Sequence, residues 1–206
     1  MYGGFAQVGF RGDLLAMIGR LRNVIFILVL GSVCTTLLLW IKGYTLPMIE
    51  RYQEFRLKSS ILEAAGVAYD SNNLDKVFHE NIREMKNDGF IYYLSPDDSY
   101  IFEFEGRGLW GIIQGVITLD PDLETIENIR IISQEETPGL GGRISEEDFL
   151  VQFRGKKVSP RLSLILRRRA TEVNEVDSIS GASLTSQALI DMINESVLNF
   201  RQLLGR

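Results

Sequence analysis

The stretch DSISGASLTSQALIDMI, residues 177–193, changes character in its middle. Its first half is crowded with small and hydroxyl-bearing residues. From Ser183 onward, apolar residues recur at steps of three and four, which predicts an amphipathic helix ending near Leu204. We expect one stripe of this helix to pack on the core of a domain. That stripe consists of Leu189, Met192, Ile193, Val197, Phe200, Leu203 and Leu204.

The residues before this helix favour strands. GFIYYL (89–94) and SYIFEFEG (99–106) flank the turn sequence SPDD, which predicts a hairpin. Two further β-rich runs are GLWGIIQGVITL (108–119) and IENIRIIS (126–133), and RLSLILRRR (161–169) is another candidate strand.

Helices are predicted on both sides of these strands. Helical spacing of apolar residues covers 44–65, and a second short helix is predicted over 73–87. With strands in the centre and helices at the ends, the sequence predicts an α+β domain with a largely antiparallel sheet and flanking helices.

A membrane anchor is predicted near the N-terminus. Residues 24–41, VIFILVLGSVCTTLLLWI, contain no charge and lie between Arg22 and Lys42. As a helix they would span roughly 27 Å, close to the hydrocarbon thickness of a bilayer. We therefore expect a short N-terminal segment 1–23, a single transmembrane helix 24–42 and a domain 43–206. Basic residues flank the helix almost equally, so the positive-inside rule does not fix its orientation.

Charge and composition exclude several classes of function for the domain. Residues 43–206 carry 18 basic and 26 acidic side chains, a net charge of −8, which argues against nucleic-acid binding. The single Cys34 lies in the anchor and the single His79 cannot form a histidine metal site. We predict no metal site and no residue acting as general acid or base.

The hydroxyl cluster at the start of the last helix has two interpretations. Ser180, Ser183, Thr185 and Ser186 lie within seven residues. Either Ser183 or Thr185 caps the helix, or a phosphate group is held or attached where the free N–H groups of the first helical turn favour negative charge.

A family resemblance bears on this choice. DSISGAS is similar to the flavinylation motif Asp-x-x-Ser/Thr-Gly-Ala-Thr of the FMN-binding domain family. GRGLWG (106–111), EETPGLGG (135–142) and FRGKKV (153–158) agree with the family in the same order. Together with the anchor, they resemble the C subunits of the sodium-translocating NADH:quinone oxidoreductases (Nqr). The G subunits of the Rnf complexes share the ETPGLG loop and the motif and are the second resemblance.

The resemblance implies a covalently bound FMN. In the family a flavin transferase moves the FMN half of FAD onto the last hydroxyl of the motif, which is Ser183 here in place of the family's threonine. Thr185 is the alternative acceptor. Ser180, Gly181 and Ala182 would lie beside the phosphate, and Asp177 would be recognised by the transferase.

The resemblance also implies that the TPGLGG loop lies against the flavin ring. Thr137 and Leu140 would supply a hydroxyl group and an apolar face, and the backbone of Gly139 and Gly141 would approach the ring closely. Glu136 would lie in or next to the site. Trp110, from the GLWG stretch, would shield the isoalloxazine.

The function implied is electron transfer within a membrane NADH:quinone oxidoreductase that translocates ions. The other membrane subunits would bind NADH and quinone, and the domain would lie on the periplasmic side of the inner membrane. Two alternatives remain: a flavin-free anchored scaffold or sensor of the same fold, and a stand-alone flavinylated electron carrier.

Overall fold

A computed structural model describes residues 6–87 and 89–205, with side chains from residue 17 onward except residue 18. Residues 1–5, the beginning of the predicted N-terminal segment, lie outside the described residues. The chain divides into two compact units, Met1–Gln53 and Glu54–Arg206.

The first long element is helix α1, which covers Ala6–Ala64 and joins the predicted anchor and the following predicted helix into one. In the described part of the chain it is the one helix long and apolar enough to cross a membrane. Ser32 donates its hydroxyl hydrogen to the Leu28 carbonyl, and Thr36 to the Ser32 carbonyl, both at 2.8 Å. These bonds satisfy the Ser32 and Thr36 hydroxyl groups within the helix, as an apolar surrounding requires. The helix fits a membrane anchor.

The second unit contains the last turns of α1 and an antiparallel sheet of five strands in the order β1-β2-β3-β4-β5. A short α2 precedes the sheet, and a small parallel pair and a long helix follow it. The elements are α2 Leu74–Asn81, β1 Arg83–Asn87, β2 Phe90–Leu94, β3 Tyr100–Arg107, β4 Ile112–Leu119, β5 Ile126–Ser133, α3 Glu147–Leu150, β6 Ser163–Ile165, β7 Glu175–Asp177 and α4 Ser183–Leu203. The predicted α+β class with a largely antiparallel sheet is confirmed.

Two predicted elements differ from the structure. The helix predicted over 73–87 is wrong in its second half, where β1 pairs with β2 from Arg83↔Leu94 to Asn87↔Phe90. Local spacing does not reveal this strand, because its partner lies beyond a turn that contains Gly89 at φ +84°. The strand predicted over 161–169 is limited to β6, which pairs in parallel with β7.

Apolar layers cover both faces of the sheet. Neighbouring residues on a strand point to opposite faces, so Phe102 joins the cluster under α4 while Ile101 joins the cluster under the end of α1 and α2. The ring of Phe102 stacks on that of Phe200 with centroids 4.2 Å apart. The predicted apolar stripe therefore holds α4 on the sheet and fixes where its first turn lies.

The β6–β7 pair leads directly into α4 and is secured by a carboxylate. The Glu175 carboxylate accepts hydrogen bonds from the Arg168 guanidinium and from the backbone N–H groups of Thr171 and Glu172. The Arg168 hydrogen bonds are the largest cause that lowers the pKa of Glu175 to about 2. Arg168 therefore has a structural role next to the hydroxyl-rich stretch.

We expect Glu175→Gln to reduce the acid sensitivity of the fold. The folded pKa lies below the ordinary 4.5, so the stabilisation is present above that pH and is lost as pH falls toward 2. Thermal denaturation of the full chain in detergent, from pH 7 down to pH 3, measures this. The variant should be less stable than wild type at pH 7 and should lose less on acidification. Glu172→Gln, an exposed neighbour, is the control and should follow wild type; equal pH slopes for Glu175→Gln and wild type would contradict the expectation.

Candidate functional site

The four hydroxyl residues of the opening stretch have different surroundings. Ser186 is buried; its hydroxyl group accepts the Ile179 N–H at 3.2 Å and donates to the Ala182 carbonyl at 2.9 Å. Thr185 is also buried. Ser180 and Ser183 are exposed. Neither Ser183 nor Thr185 caps the helix, because the N-cap position is Ala182 and no side chain caps it.

Ser183 is the first residue of α4. The first N–H groups of a helix have no partner within it and carry a partial positive charge. Gly181 just before it has φ +80°, a left-handed conformation that glycine adopts without strain. An exposed hydroxyl group thus lies at a helix end that suits an attached or bound phosphate.

A cleft of about 160 Å³ opens beside Ser183. Three segments form its walls: the GLWG turn, the TPGLGG loop and the first turn of α4. The structure brings together in this lining all the predicted site residues except Asp177, Ser180 and Gly139, and it adds Leu109 and Leu184. The predicted roles of these residues remain predictions.

The cleft has exposed apolar walls. Trp110 is 70% exposed, Leu184 66%, Leu109 49% and Leu140 47%. Large apolar side chains grouped at a surface commonly mark a binding site. The walls therefore offer apolar surface to a ligand beside the N-terminus of α4. Leu184 was overlooked in the sequence, although an apolar residue outside the α4 stripe is a usable signal.

The TPGLGG loop is folded tightly by its own backbone. The Thr137 carbonyl accepts the N–H groups of Leu140 at 3.1 Å and of Gly142 at 3.0 Å. Gly139, within this turn, has φ +74°, which explains its glycine although its atoms do not line the cleft. The turn leaves the Leu140 side chain exposed at the cleft.

A buried carboxylate connects the three walls. Glu136 is 4% exposed, and its Oε2 accepts the Thr185 hydroxyl hydrogen at 2.6 Å. Its Oε1 accepts a hydrogen bond from the backbone N–H group of Trp110 at 2.9 Å. Because the Thr185 hydroxyl group is buried and already hydrogen-bonded, this side chain is poorly placed as an alternative acceptor.

Asp177 lies outside the cleft lining. Its Oδ1 accepts the Ala170 N–H at 2.6 Å, and its own N–H donates to Gln152 Oε1 at 2.9 Å. These bonds fix the chain that leads into the hydroxyl-rich stretch 180–186. Asp177 therefore has a local structural function in addition to any recognition by a transferase.

Similarity to known proteins shows the family of this chain. The FMN-binding domain matches residues 108–197, which include every residue that lines the cleft. The chain is 31% identical over 171 residues to the C subunit of the Na(+)-translocating NADH-quinone reductase of Vibrio anguillarum, an alignment covering 71% of this chain and 67% of that protein. The chain belongs to the FMN-binding domain family.

Two further similarities support this membership. The G subunit of the ion-translocating oxidoreductase complex of Methanosarcina acetivorans is 27% identical over 181 residues, covering 85% of this chain and 92% of that protein. The crystal structure of the C subunit of the Na(+)-translocating NADH-quinone reductase from Parabacteroides distasonis superimposes with a TM-score of 0.66 at 25% identity, covering 77% of this chain and 96% of that one. The chain spans between 42% and 46% of the length of several other curated C-subunit relatives. The predicted family is confirmed, and FMN is the ligand for which the family is named.

We expect Gly141→Ala to disrupt the buried Glu136–Thr185 contact. A Cβ at Gly141 would lie 2.7 Å from Glu136 Oε2 and 2.8 Å from Thr185 Oγ1. Separating the two groups leaves a buried carboxylate short of a donor, at a cost of about 1–3 kcal/mol in the free energy of unfolding. Gly142→Ala is the matched control, because its nearest contact would be 3.3 Å. Denaturant unfolding of both variants measures the difference, and equal stabilities would contradict the expectation.

Proposed function

We propose that this chain is the FMN-carrying electron-transfer subunit of a membrane NADH:quinone oxidoreductase of the ion-translocating Nqr type. FMN is joined to Ser183 by a phosphoester bond. The other membrane subunits of the complex are its partners and bind NADH and quinone, and a flavin transferase loads the flavin. The observation that carries this proposal is the exposed Ser183 hydroxyl group at the α4 N-terminus, beside a cleft with exposed apolar walls.

The surroundings of the hydroxyl groups support Ser183 as the acceptor. Thr185 and Ser186 are buried and hydrogen-bonded, whereas Ser183 is exposed. Ser180, also exposed, lies before the helix and not at its first position. The α4 N-terminus stabilises the negative charge that a phosphate would bring next to Ser183.

The attachment reaction requires no oxidant. The Ser183 oxygen forms a bond to the FMN phosphorus of FAD while the pyrophosphate P–O bond breaks. AMP leaves, and the serine proton is released. Bound FMN supplies the redox chemistry, and the protein holds the flavin and sets its potential.

The residues of the cleft would hold the flavin in three ways. Trp110 and Leu140 offer apolar surface for the ring, which would then be withdrawn from water. The Thr137 hydroxyl group offers a hydrogen bond to polar atoms of the ring. The first turn of α4 supports the phosphate.

A second candidate is an Rnf-type G subunit. The alignment with the Methanosarcina acetivorans G subunit covers 92% of that protein and 85% of this chain. The alignment with the Vibrio anguillarum C subunit covers a smaller share both of that protein and of this chain. Both candidates place an FMN on Ser183. They differ in the partner subunits with which the chain would purify.

Ser183→Ala should abolish the covalent flavin and leave the fold intact. Ser183 makes no capping bond, so the free energy of unfolding should change by less than about 0.5 kcal/mol. Ser183→Thr should retain the flavin, because it restores the residue of the family motif. Ser180→Ala is the matched control, an exposed serine in the same stretch, and should retain it too. The chain is produced with its transferase and its intact mass is measured.

Mass spectrometry of the peptide covering residues 170–201 locates the modification. An FMN-sized increment on Thr185 or Ser180 would refute Ser183 as the acceptor while preserving the function. A folded wild-type chain, made with the transferase and carrying no increment, would instead favour the flavin-free scaffold.

The domain that follows the anchor is expected on the periplasmic side of the inner membrane. Green fluorescent protein fused after Arg206 should stay dark, because it does not fold after export in an unfolded state, and alkaline phosphatase fused there should be active. The same two reporters fused at the N-terminus provide the opposite control. Fluorescence from the C-terminal fusion would contradict the expected topology and would place the domain on the cytoplasmic side.

A further inference from the structure

Glu135 and Glu136 are consecutive acidic residues with opposite surroundings. Glu135 is exposed, whereas Glu136 is 4% exposed and lines the cleft. A buried carboxylate is costly unless it is hydrogen-bonded. The burial of Glu136 therefore requires hydrogen-bond donors around its carboxylate.

The Glu136 carboxylate accepts hydrogen bonds from two sides of the cleft. The backbone N–H group of Trp110 donates to Oε1, and the Thr185 hydroxyl group donates to Oε2. Burial raises the pKa of Glu136, but the bonds from Thr185 and from the backbone N–H groups of Trp110, Gly111 and Leu109 together outweigh it, and the pKa is lowered from 4.5. The group is negatively charged at neutral pH.

Two glycines leave the space that this carboxylate fills. A Cβ at Gly108 would lie 2.4 Å from Glu136 Oε1, and one at Gly141 would lie 2.7 Å from Oε2. Both distances are shorter than any normal contact. The GLWG turn and the TPGLGG loop are thus shaped around Glu136, and each of them also presents an apolar side chain, Trp110 and Leu140, at the cleft.

We infer that Glu136 is a positioning residue for the bound flavin: it fixes the Trp110 turn against the start of α4, and its negative charge lowers the flavin's reduction potential. This inference rests on the proposed function. The first effect follows from the two hydrogen bonds. The second follows because a negative charge in a partly buried wall opposes the electrons that reduction adds.

Two substitutions separate the two effects. Glu136→Gln keeps the size of the side chain, an acceptor for the Trp110 N–H and a donor for the Thr185 oxygen, but removes the charge. Glu136→Ala removes the hydrogen bonds as well. Glu135→Gln makes the same charge change on the exposed neighbour, where water screens the charge.

Mobility of Trp110 tests positioning without any flavin. The chain has two tryptophans, so Trp40→Phe in the full chain leaves Trp110 as the single indole. In detergent, the fluorescence anisotropy of flavin-free Glu136→Ala should fall below that of the parent chain, while Glu136→Gln and Glu135→Gln should remain near it. Unchanged anisotropy in a folded Glu136→Ala chain would overturn positioning. If Glu136→Ala does not fold, Thr185→Val, which removes one of the two hydrogen bonds, replaces it in the same comparison.

Potentiometric titration of the flavin-loaded chains tests the charge. Glu136→Gln should shift the midpoint potential to a more positive value than wild type, and Glu135→Gln should shift it far less. Equal potentials for Glu136→Gln and Glu135→Gln would overturn the charge effect. A wild-type chain that accepts no flavin would instead contradict the proposed function, and the Trp110 measurement on flavin-free chains would still decide the positioning.

Discussion

The hydrogen bond from Thr185 to the buried carboxylate of Glu136 joins parts of the chain that are 49 residues apart. On one side of it lies the first turn of α4, and on the other the loop that follows β5. The same carboxylate accepts the Trp110 N–H from the turn between β3 and β4. If this carboxylate were removed, the turn before β4 and the first turn of α4 would both lose the hydrogen bond that joins them to the loop after β5.

Helix α4 connects this site to the core. Its C-terminal half is held on the sheet by Phe200, which stacks on Phe102. Close packing of such rings allows little movement of α4 along its own axis. The position of Phe200 therefore also fixes the positions of Thr185 and Ser183 along that axis, about four to five turns earlier in the helix. Fold stability and site geometry are therefore not independent. A cavity created under α4 would change the positions of the α4 residues that line the cleft.

The sequence predicted those features that depend on local periodicity or on a motif. The α4 stripe and the strands around SPDD have regular spacing, and residues 24–41 form an uncharged run. The structure contains α4, the β2–β3 hairpin and the long apolar helix α1. Strand β1 was predicted as helix because REMKN has no apolar alternation and forms a strand only through its pairing with β2. The roles of the four hydroxyl groups also required the structure. Ser186 closes a turn with Ile179, and Thr185 contacts a residue of a distant loop, so neither partner is visible in the local pattern.

The proposed attachment of FMN to a hydroxyl group of this stretch agrees with the contrast between the surroundings of Thr185 and Ser183. Burial and a hydrogen bond to a carboxylate occupy the first, and a bonded oxygen withdrawn from solvent cannot reach a large soluble donor such as FAD. Exposure at the helix terminus leaves the second available, with backbone N–H groups nearby that stabilise a phosphate once it is attached. A serine at this position lacks only the methyl group of threonine. Since Ser183 is exposed at the first position of α4, the fold does not require that methyl group, and without it the proposed acceptor oxygen still lies at the helix terminus.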